Sequence, residues 1–191
     1  FLRTKNTEQS HIVLGYPSVS ALDDNHFAHK LLSIILGGNM SSRMFLNIRD
    51  AKGLCYYIGT ETDSYLDAGS IATRAGVDQS RLKEAITAIR AEYETCAKDG
   101  VTEEELNRAK EFFKGKSVLS LEDSEERAHF FGKQALLYPE IRDMNAYFAK
   151  IEEVSLSQVN ELAKKILQPE ELRLVLIGNE KEKSVFEDLL I

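Results

Sequence analysis

Residues 54–77 read LCYYIGTETDSYLDAGSIATRAGV, and they carry the clearest strand pattern of the chain. An apolar and then alternating run over residues 54–65 is followed by a second run of strand-forming residues over 69–77. Because Leu-Asp-Ala at 66–68 supplies a turn between them, the stretch predicts a β-hairpin. A hairpin alone cannot bury an apolar face, so further strands and helices must cover it.

The other predicted strands lie near the two ends of the chain, at QSHIVLGYP (residues 9–17) and LRLVLIG (residues 172–178). Helical periodicity and capping residues predict helices over about residues 23–36, 42–51, 78–98, 102–121, 124–137, 141–150, 155–167 and from 180 onward. Pro139 is expected to break the helix that precedes it. This order predicts the α+β class: two layers, with a mixed four- or five-stranded sheet covered on one face by several helices (βαββ…αβ).

Composition bounds the function classes. The 191 residues include 43% hydrophobic and 29% charged residues, which is typical of one globular domain, and residues 1–191 show no internal boundary. The net charge of −7 without a basic cluster argues against nucleic-acid binding. The longest apolar stretch, around residues 31–36, is too short to span a membrane.

Two isolated cysteines, Cys55 and Cys96, do not form a disulfide framework and fit a reducing compartment, so we expect a cytoplasmic location. The chain begins Phe-Leu-Arg, without Met or a signal-peptide pattern. We therefore expect it to be a fragment or a processed product.

His26 and His29 form an H-x-x-H pair on a predicted helix and could present two metal ligands. However, neither H-E-x-x-H nor H-x-x-E-H occurs in the sequence, so a zinc peptidase site is incomplete. With Lys30 and Ser33, the two histidines are predicted to form the solvated polar face of that helix.

One segment, LGGNMSSRMF (residues 36–45) continuing to IRDAKGLCYY (48–57), is not explained by routine structural roles. Arg49 falls in the last turn of a predicted short helix, and Tyr56 falls early in the following strand, so we expect their side chains to converge. Arg offers a planar set of donors to carbonyl or carboxylate oxygens, and a Tyr hydroxyl can donate to an oxyanion. The alternative stays open that Arg49 complements a helix dipole and Tyr56 is an ordinary strand residue.

These residues resemble the signature of the second, non-zinc domain of the pitrilysin/insulinase family of inverzincin metallopeptidases, which includes the mitochondrial processing peptidases. The likeness continues, in the same order, through the segments that begin and end the chain, and it covers about residues 9–178. Cys55 and Asn39 stand where small residues are common, and we expect neither to touch the Arg49/Tyr56 pair. The resemblance implies a processing-peptidase/LuxS-like fold and a two-domain half-molecule of which this chain is the zinc-free part.

By the same resemblance, Arg49 would hold the substrate backbone and Tyr56 would donate to the scissile carbonyl oxygen. The chain itself would bind no metal or cofactor. Zinc would lie on a missing H-x-x-E-H domain, upstream in the same chain or on a partner subunit, and the substrate would be a peptide. A homo- or hetero-dimer of halves is expected, and the isolated chain would be inactive.

Two alternatives remain from the sequence. The domain could belong to a catalytically inactive scaffold or peptide-binding subunit of the same family. An independent hydrolase built on His26 and His29 would lack a third ligand and a base.

Overall fold

The computed structural model of the chain describes residues 1–138 and 140–190. Five strands form one mixed sheet in the order β1-β5-β2-β4-β3. β1 runs parallel to β5, and the other neighbouring strands are antiparallel. The strands are β1 Leu2–Thr4, β2 Gln9–Ser18, β3 Cys55–Ser64, β4 Gly69–Asp78 and β5 Arg173–Gly178. The predicted α+β class and the hairpin, now β3 and β4, are therefore confirmed.

Most of the helices occur where the sequence predicts them. They are α1 His26–Ser33, α2 Leu82–Asp99, α3 Glu103–Ser120, α4 Ser124–Leu137, α5 Met144–Glu153, α6 Leu156–Ile166 and α7 Ser184–Glu187. Short π-helical segments cover Ile34–Gly38 and Phe45–Asp50, and 3-10 turns cover Gln79–Arg81 and Pro169–Glu171. Capping boxes begin α3 and α6, as their sequences indicate. The predicted helix break at Pro139 lies outside the described residues.

The helical layer covers one face of the sheet. Along the central strands, every second side chain is buried because successive strand residues point to opposite faces. These buried residues are Ile12, Leu14, Tyr16, Ile71, Thr73, Ala75 and Val77. Helices α1, α2 and α6 contact the sheet, whereas Tyr57 and Val175 on the strands stay partly exposed. Within the described residues, no helix is both long enough and apolar enough to cross a membrane.

The prediction that one side of α1 is solvated was wrong. His26 is 7% exposed, His29 is 0% exposed, and Ser33 is also buried. The reason is that α1 contacts β3 on one side and α3, α5 and α6 on others, so more than one face of the helix is covered. Polar residues at helical spacing do not reveal a second packing layer.

The Gly37 turn after α1 rests directly on β3. A β-carbon at Gly37 would lie only 2.5 Å from the backbone nitrogen of Thr60, so the close approach requires glycine. The Thr60 hydroxyl is 2.7 Å from that of Thr73, which in turn is 2.6 Å from the Tyr93 hydroxyl. This buried hydrogen-bonded chain ties β3, β4 and α2 together beneath the turn.

Candidate functional site

The candidate site lies at the corner where the π-helical segment Phe45–Asp50 returns into β3. The amide of Gly53 donates to the carbonyl of Arg49 at 3.1 Å, and the amide of Leu54 donates to the carbonyl of Ile48 at 3.0 Å. Ile48 is fully buried and anchors the segment to the core. The backbone of this corner is therefore held by both packing and hydrogen bonds.

Arg49 is exposed at this corner. Its guanidinium carbon lies 4.8 Å from the centre of the Phe45 ring, a cation–π distance. No carboxylate in residues 1–138 and 140–190 pairs with it. Burial raises the pKa of the Cys55 thiol, and the positive charge of Arg49 opposes that rise. The guanidinium thus lies within electrostatic reach of the residue that precedes Tyr56.

Tyr56 is the extra residue of a β-bulge. In the ladder between β3 and β4, Cys55 pairs with Val77 and Tyr57 pairs with Gly76, so Tyr56 has no partner. Bulges bend a strand and redirect a side chain, and they recur next to active sites. Tyr56 is 56% exposed, and its hydroxyl has no hydrogen-bond partner in the described part of the chain.

Tyr57, the next residue, has a structural role instead. Its hydroxyl is 3.0 Å from Nδ1 of His11, and its ring lies across Gly76, where any β-carbon would collide with it. The two adjacent tyrosines therefore differ in their hydrogen bonding. The hydroxyl of Tyr57 is bonded to His11, whereas that of Tyr56 is available to a ligand.

The corner carries an unneutralised guanidinium on Arg49 and an exposed phenol on Tyr56, both of which can donate hydrogen bonds. Such a pair can bind a carbonyl oxygen and stabilise negative charge that develops on it. Among the described residues, no group of three or more His, Cys, Asp or Glu side chains could hold a metal ion. His26 and His29 accordingly have no third ligand in that part of the chain.

Arg43, in the same motif, was not singled out from the sequence. Its Nε and one terminal nitrogen donate to the two oxygens of Glu105 at 2.6 and 2.8 Å, and the latter nitrogen also donates to the Gly100 carbonyl at 2.9 Å. Burial alone would raise the pKa of Glu105, but the hydrogen bonds from Arg43 and Thr102 lower it to about 2. Arg43 thus joins the corner to the capping box of α3. The capping-box glutamate was the one sequence feature that could have pointed to this ion pair.

A separate cleft of about 1580 Å³ runs beside β3, between that strand and helices α1, α3, α4 and α5. Residues 58–64 of β3 line one wall, and Phe45 lines the end nearest the corner. Neither Arg49 nor Tyr56 lines it. No sequence pattern predicts this cleft, because its helical wall comes from residues far apart in the chain.

Residues 1–113 match a family model described as the Peptidase M16 inactive domain. This chain belongs to that family. It is 33% identical over 176 residues to an uncharacterized zinc protease of Bacillus subtilis, covering 92% of the chain and 43% of that relative. An uncharacterized zinc protease of Streptomyces coelicolor is 32% identical, with 85% of the chain and 36% of the relative covered. The family resemblance drawn from the motifs is confirmed.

Solved structures agree with the M16 fold. A peptidase M16 inactive domain from Pseudomonas fluorescens superposes with a TM-score of 0.83 at 18% identity, covering 94% of the chain and 43% of that structure. A protease from Helicobacter pylori gives 0.79 at 21% identity, with 93% and 43% covered. The M16 chain described here therefore spans about two fifths of the length of these proteins.

Proposed function

We propose that residues 1–191 form the zinc-free second domain of an M16 zinc peptidase, and that Arg49 and Tyr56 complete a site whose metal lies elsewhere. The observation that carries this proposal is the unpaired, exposed state of both side chains at one hydrogen-bonded corner. The relatives named zinc proteases are more than twice as long as the matched segment, which leaves room for a metal-bearing domain of similar size.

In this proposal, the guanidinium of Arg49 donates to a backbone carbonyl of the substrate and positions the peptide. The hydroxyl of Tyr56 donates to the scissile carbonyl oxygen, where negative charge develops during attack on the carbonyl carbon. Zinc bound by an H-x-x-E-H domain would activate the attacking water. The cation–π contact of Arg49 with Phe45 limits the directions that the guanidinium can take.

The partners follow from the same proposal. They are a zinc-bearing domain or subunit, a peptide substrate and a second half-molecule, which would make a homo- or hetero-dimer. A cytoplasmic location fits the two unpaired thiols, Cys55 and Cys96, which are both buried.

Reconstitution tests the proposal. The isolated chain should cleave no peptide and bind no stoichiometric zinc, and adding the zinc-bearing domain should produce cleavage. The same mixture with Arg49→Ala in this chain should recover only a small fraction of that cleavage. Peptidase activity in the isolated chain, or wild-type cleavage with Arg49→Ala, would refute the proposal.

A second candidate function is that of an inactive scaffold or peptide-binding subunit. We keep this alternative because a chain of complex III2 from Candida albicans has the same fold, with a TM-score of 0.83 at 15% identity over 100% of this chain. The likeness shows that the fold also occurs in that assembly. If neither the rest of the protein nor a partner subunit carries H-x-x-E-H, the scaffold function holds and Arg49 has no catalytic effect.

A further inference from the structure

The helical wall of the cleft presents the same short pattern twice. Phe27 and Lys30 lie three residues apart on α1, and Phe130 and Lys133 lie three residues apart on α4. All four residues line the cleft. Residues at this spacing occupy the same side of a helix, so each lysine lies one turn beyond a phenylalanine that faces the cleft.

Tyr147 of α5 connects the two phenylalanines. Its ring centre lies 5.0 Å from that of Phe27 and 5.7 Å from that of Phe130, both in edge-on geometry. Aromatic rings at these distances attract each other beyond the effect of area burial. The two helices are therefore held by one aromatic cluster, defined here as Phe27, Phe130 and Tyr147, with a lysine beyond each phenylalanine.

The two lysines are not neutralised. In residues 1–138 and 140–190, neither ammonium has a carboxylate within 4.0 Å. Burial lowers the pKa of Lys30, and the positive charge of Lys133 lowers it further. The like charge of the exposed Lys133 destabilises the charged form of the partly buried Lys30, and a bound anion would offset that repulsion.

His26 adds a third polar side chain to the part of the cleft that holds Lys30 and Lys133. It lines the cleft, is 7% exposed, and its Nδ1 has no hydrogen-bond partner among the described residues. The nearby Asp23 forms no ion pair with either lysine. Its Oδ1 accepts hydrogen bonds from the backbone and side-chain nitrogens of Asn25 at 2.8 and 3.1 Å. Other carboxylates line the cleft, on the strand wall and on the helical wall, so an anion is favoured only next to the lysines. They are Asp24, Glu61, Asp63, Glu126, Glu140 and Glu153.

We propose that Lys30 and Lys133, assisted by His26, bind a carboxylate of a peptide whose neighbouring apolar side chain rests on the aromatic cluster. The identity of the ligand as a peptide rests on the proposed function. The carboxylate can be the peptide's C-terminus or an acidic side chain, because both offer the same acceptor oxygens to ammonium donors.

The test measures binding by fluorescence anisotropy to the complete protein, with metal removed by a chelator so that no peptide is cleaved. One labelled peptide pair differs only in a free or an amidated C-terminus, and a second pair differs only in an internal Glu or Gln. We expect about tenfold tighter binding of the carboxylate form in one pair, and that pair identifies the source. Equal binding within both pairs overturns the proposal.

Lysine variants test which side chains cause the carboxylate preference. Lys133→Met, at an exposed position that tolerates the change, and Lys30→Met should each abolish most of the roughly tenfold preference. Lys116→Met is the matched control, because Lys116 also lines the cleft and is exposed. An equal loss in Lys116→Met and Lys133→Met would mean a general charge effect and overturn the proposal.

The carboxylate site can fail while the proposed function holds, and the two outcomes can be told apart. Tyr56→Phe should keep the carboxylate preference whatever it does to cleavage, because Tyr56 does not line the cleft. Loss of cleavage in Tyr56→Phe together with unchanged preference in both lysine variants would remove the carboxylate site and leave the proposed function standing.

Discussion

The corner at residues 45–57 and helix α1 place polar side chains in opposite environments. At the corner, Arg49 and Tyr56 are exposed and unpaired, whereas on α1 His26 and His29 are buried. The two regions are joined by a turn whose Gly37 rests on β3. Polar spacing alone therefore does not predict exposure: α1 packs against β3, α3, α5 and α6, whereas the segment Phe45–Asp50 packs mainly against β3 and α2.

The largest effect that we expect is on kcat, and it should differ between the two adjacent tyrosines of the corner. In the complete, zinc-loaded protein, Tyr56→Phe should lower kcat by roughly 10²–10³, because it removes a donor to the developing oxyanion. Tyr57→Phe is the matched control and should change kcat by less than about threefold, since its hydroxyl is bonded to His11. Steady-state peptide cleavage measures both, and an equal loss in the two variants would contradict the assignment.

The next effect is on the free energy of unfolding, and it should differ between Arg43 and Arg49. Arg43→Met should lower the free energy of unfolding by about 3 kcal/mol, because it leaves the partly buried Glu105 without its counter-charge. Arg49→Met should change it by less than about 0.5 kcal/mol, since Arg49 is exposed and unpaired. Urea unfolding at pH 7 measures both variants. Similar losses would show that Arg49 is a structural residue like Arg43.

As pH falls, the two buried histidines of α1 should lower the stability of the chain at a higher pH than Glu105 does. Burial is the main cause that lowers the pKa of His26 to about 3 and that of His29 to about 4. Lys30 lowers both values further, Lys133 also lowers that of His26, and Asp23 opposes the shift in both. Below pH 6.5 the unfolded chain therefore binds protons that the folded chain does not, and stability is lost as pH falls from 6.5 toward 4.

At pH 5.5 the loss should be about 1.4 kcal/mol for each of the two histidines, relative to pH 7.5. Urea unfolding across this range measures it. The double variant His26→Leu/His29→Leu should flatten the curve between pH 7.5 and 5. Glu105, whose pKa falls to about 2, affects stability only below about pH 4.5, so the two windows do not coincide. An unchanged slope in the double variant would show that other groups take up the protons.

Local patterns predicted much of the fold and of the site. The hairpin and the capped starts of α3 and α6 depend on residues close in sequence, and these predictions are confirmed. The roles of Arg49 and Tyr56 stay a prediction. The bulge at Tyr56 was not predicted, because it depends on the register of β3 against β4. β1, with three residues, was missed because its pairing with β5 and not its own pattern makes it a strand. The cleft likewise depends on how helices from distant segments pack.

The smallest expected effect tests why His29 is buried at all. Both of its ring nitrogens lack hydrogen-bond partners among the described residues. A buried polar group without a partner costs stability, so replacing it with an apolar side chain of similar size removes that cost. His29→Leu should therefore raise the free energy of unfolding at pH 7.5 by up to about 1 kcal/mol, as measured by urea unfolding. His11→Leu, at an exposed position, is the control and should not stabilise the chain. If His29→Leu instead destabilises the chain by more than about 1 kcal/mol, the ring has a partner, such as a bound water, and α1 is then less different from the corner than its burial indicates.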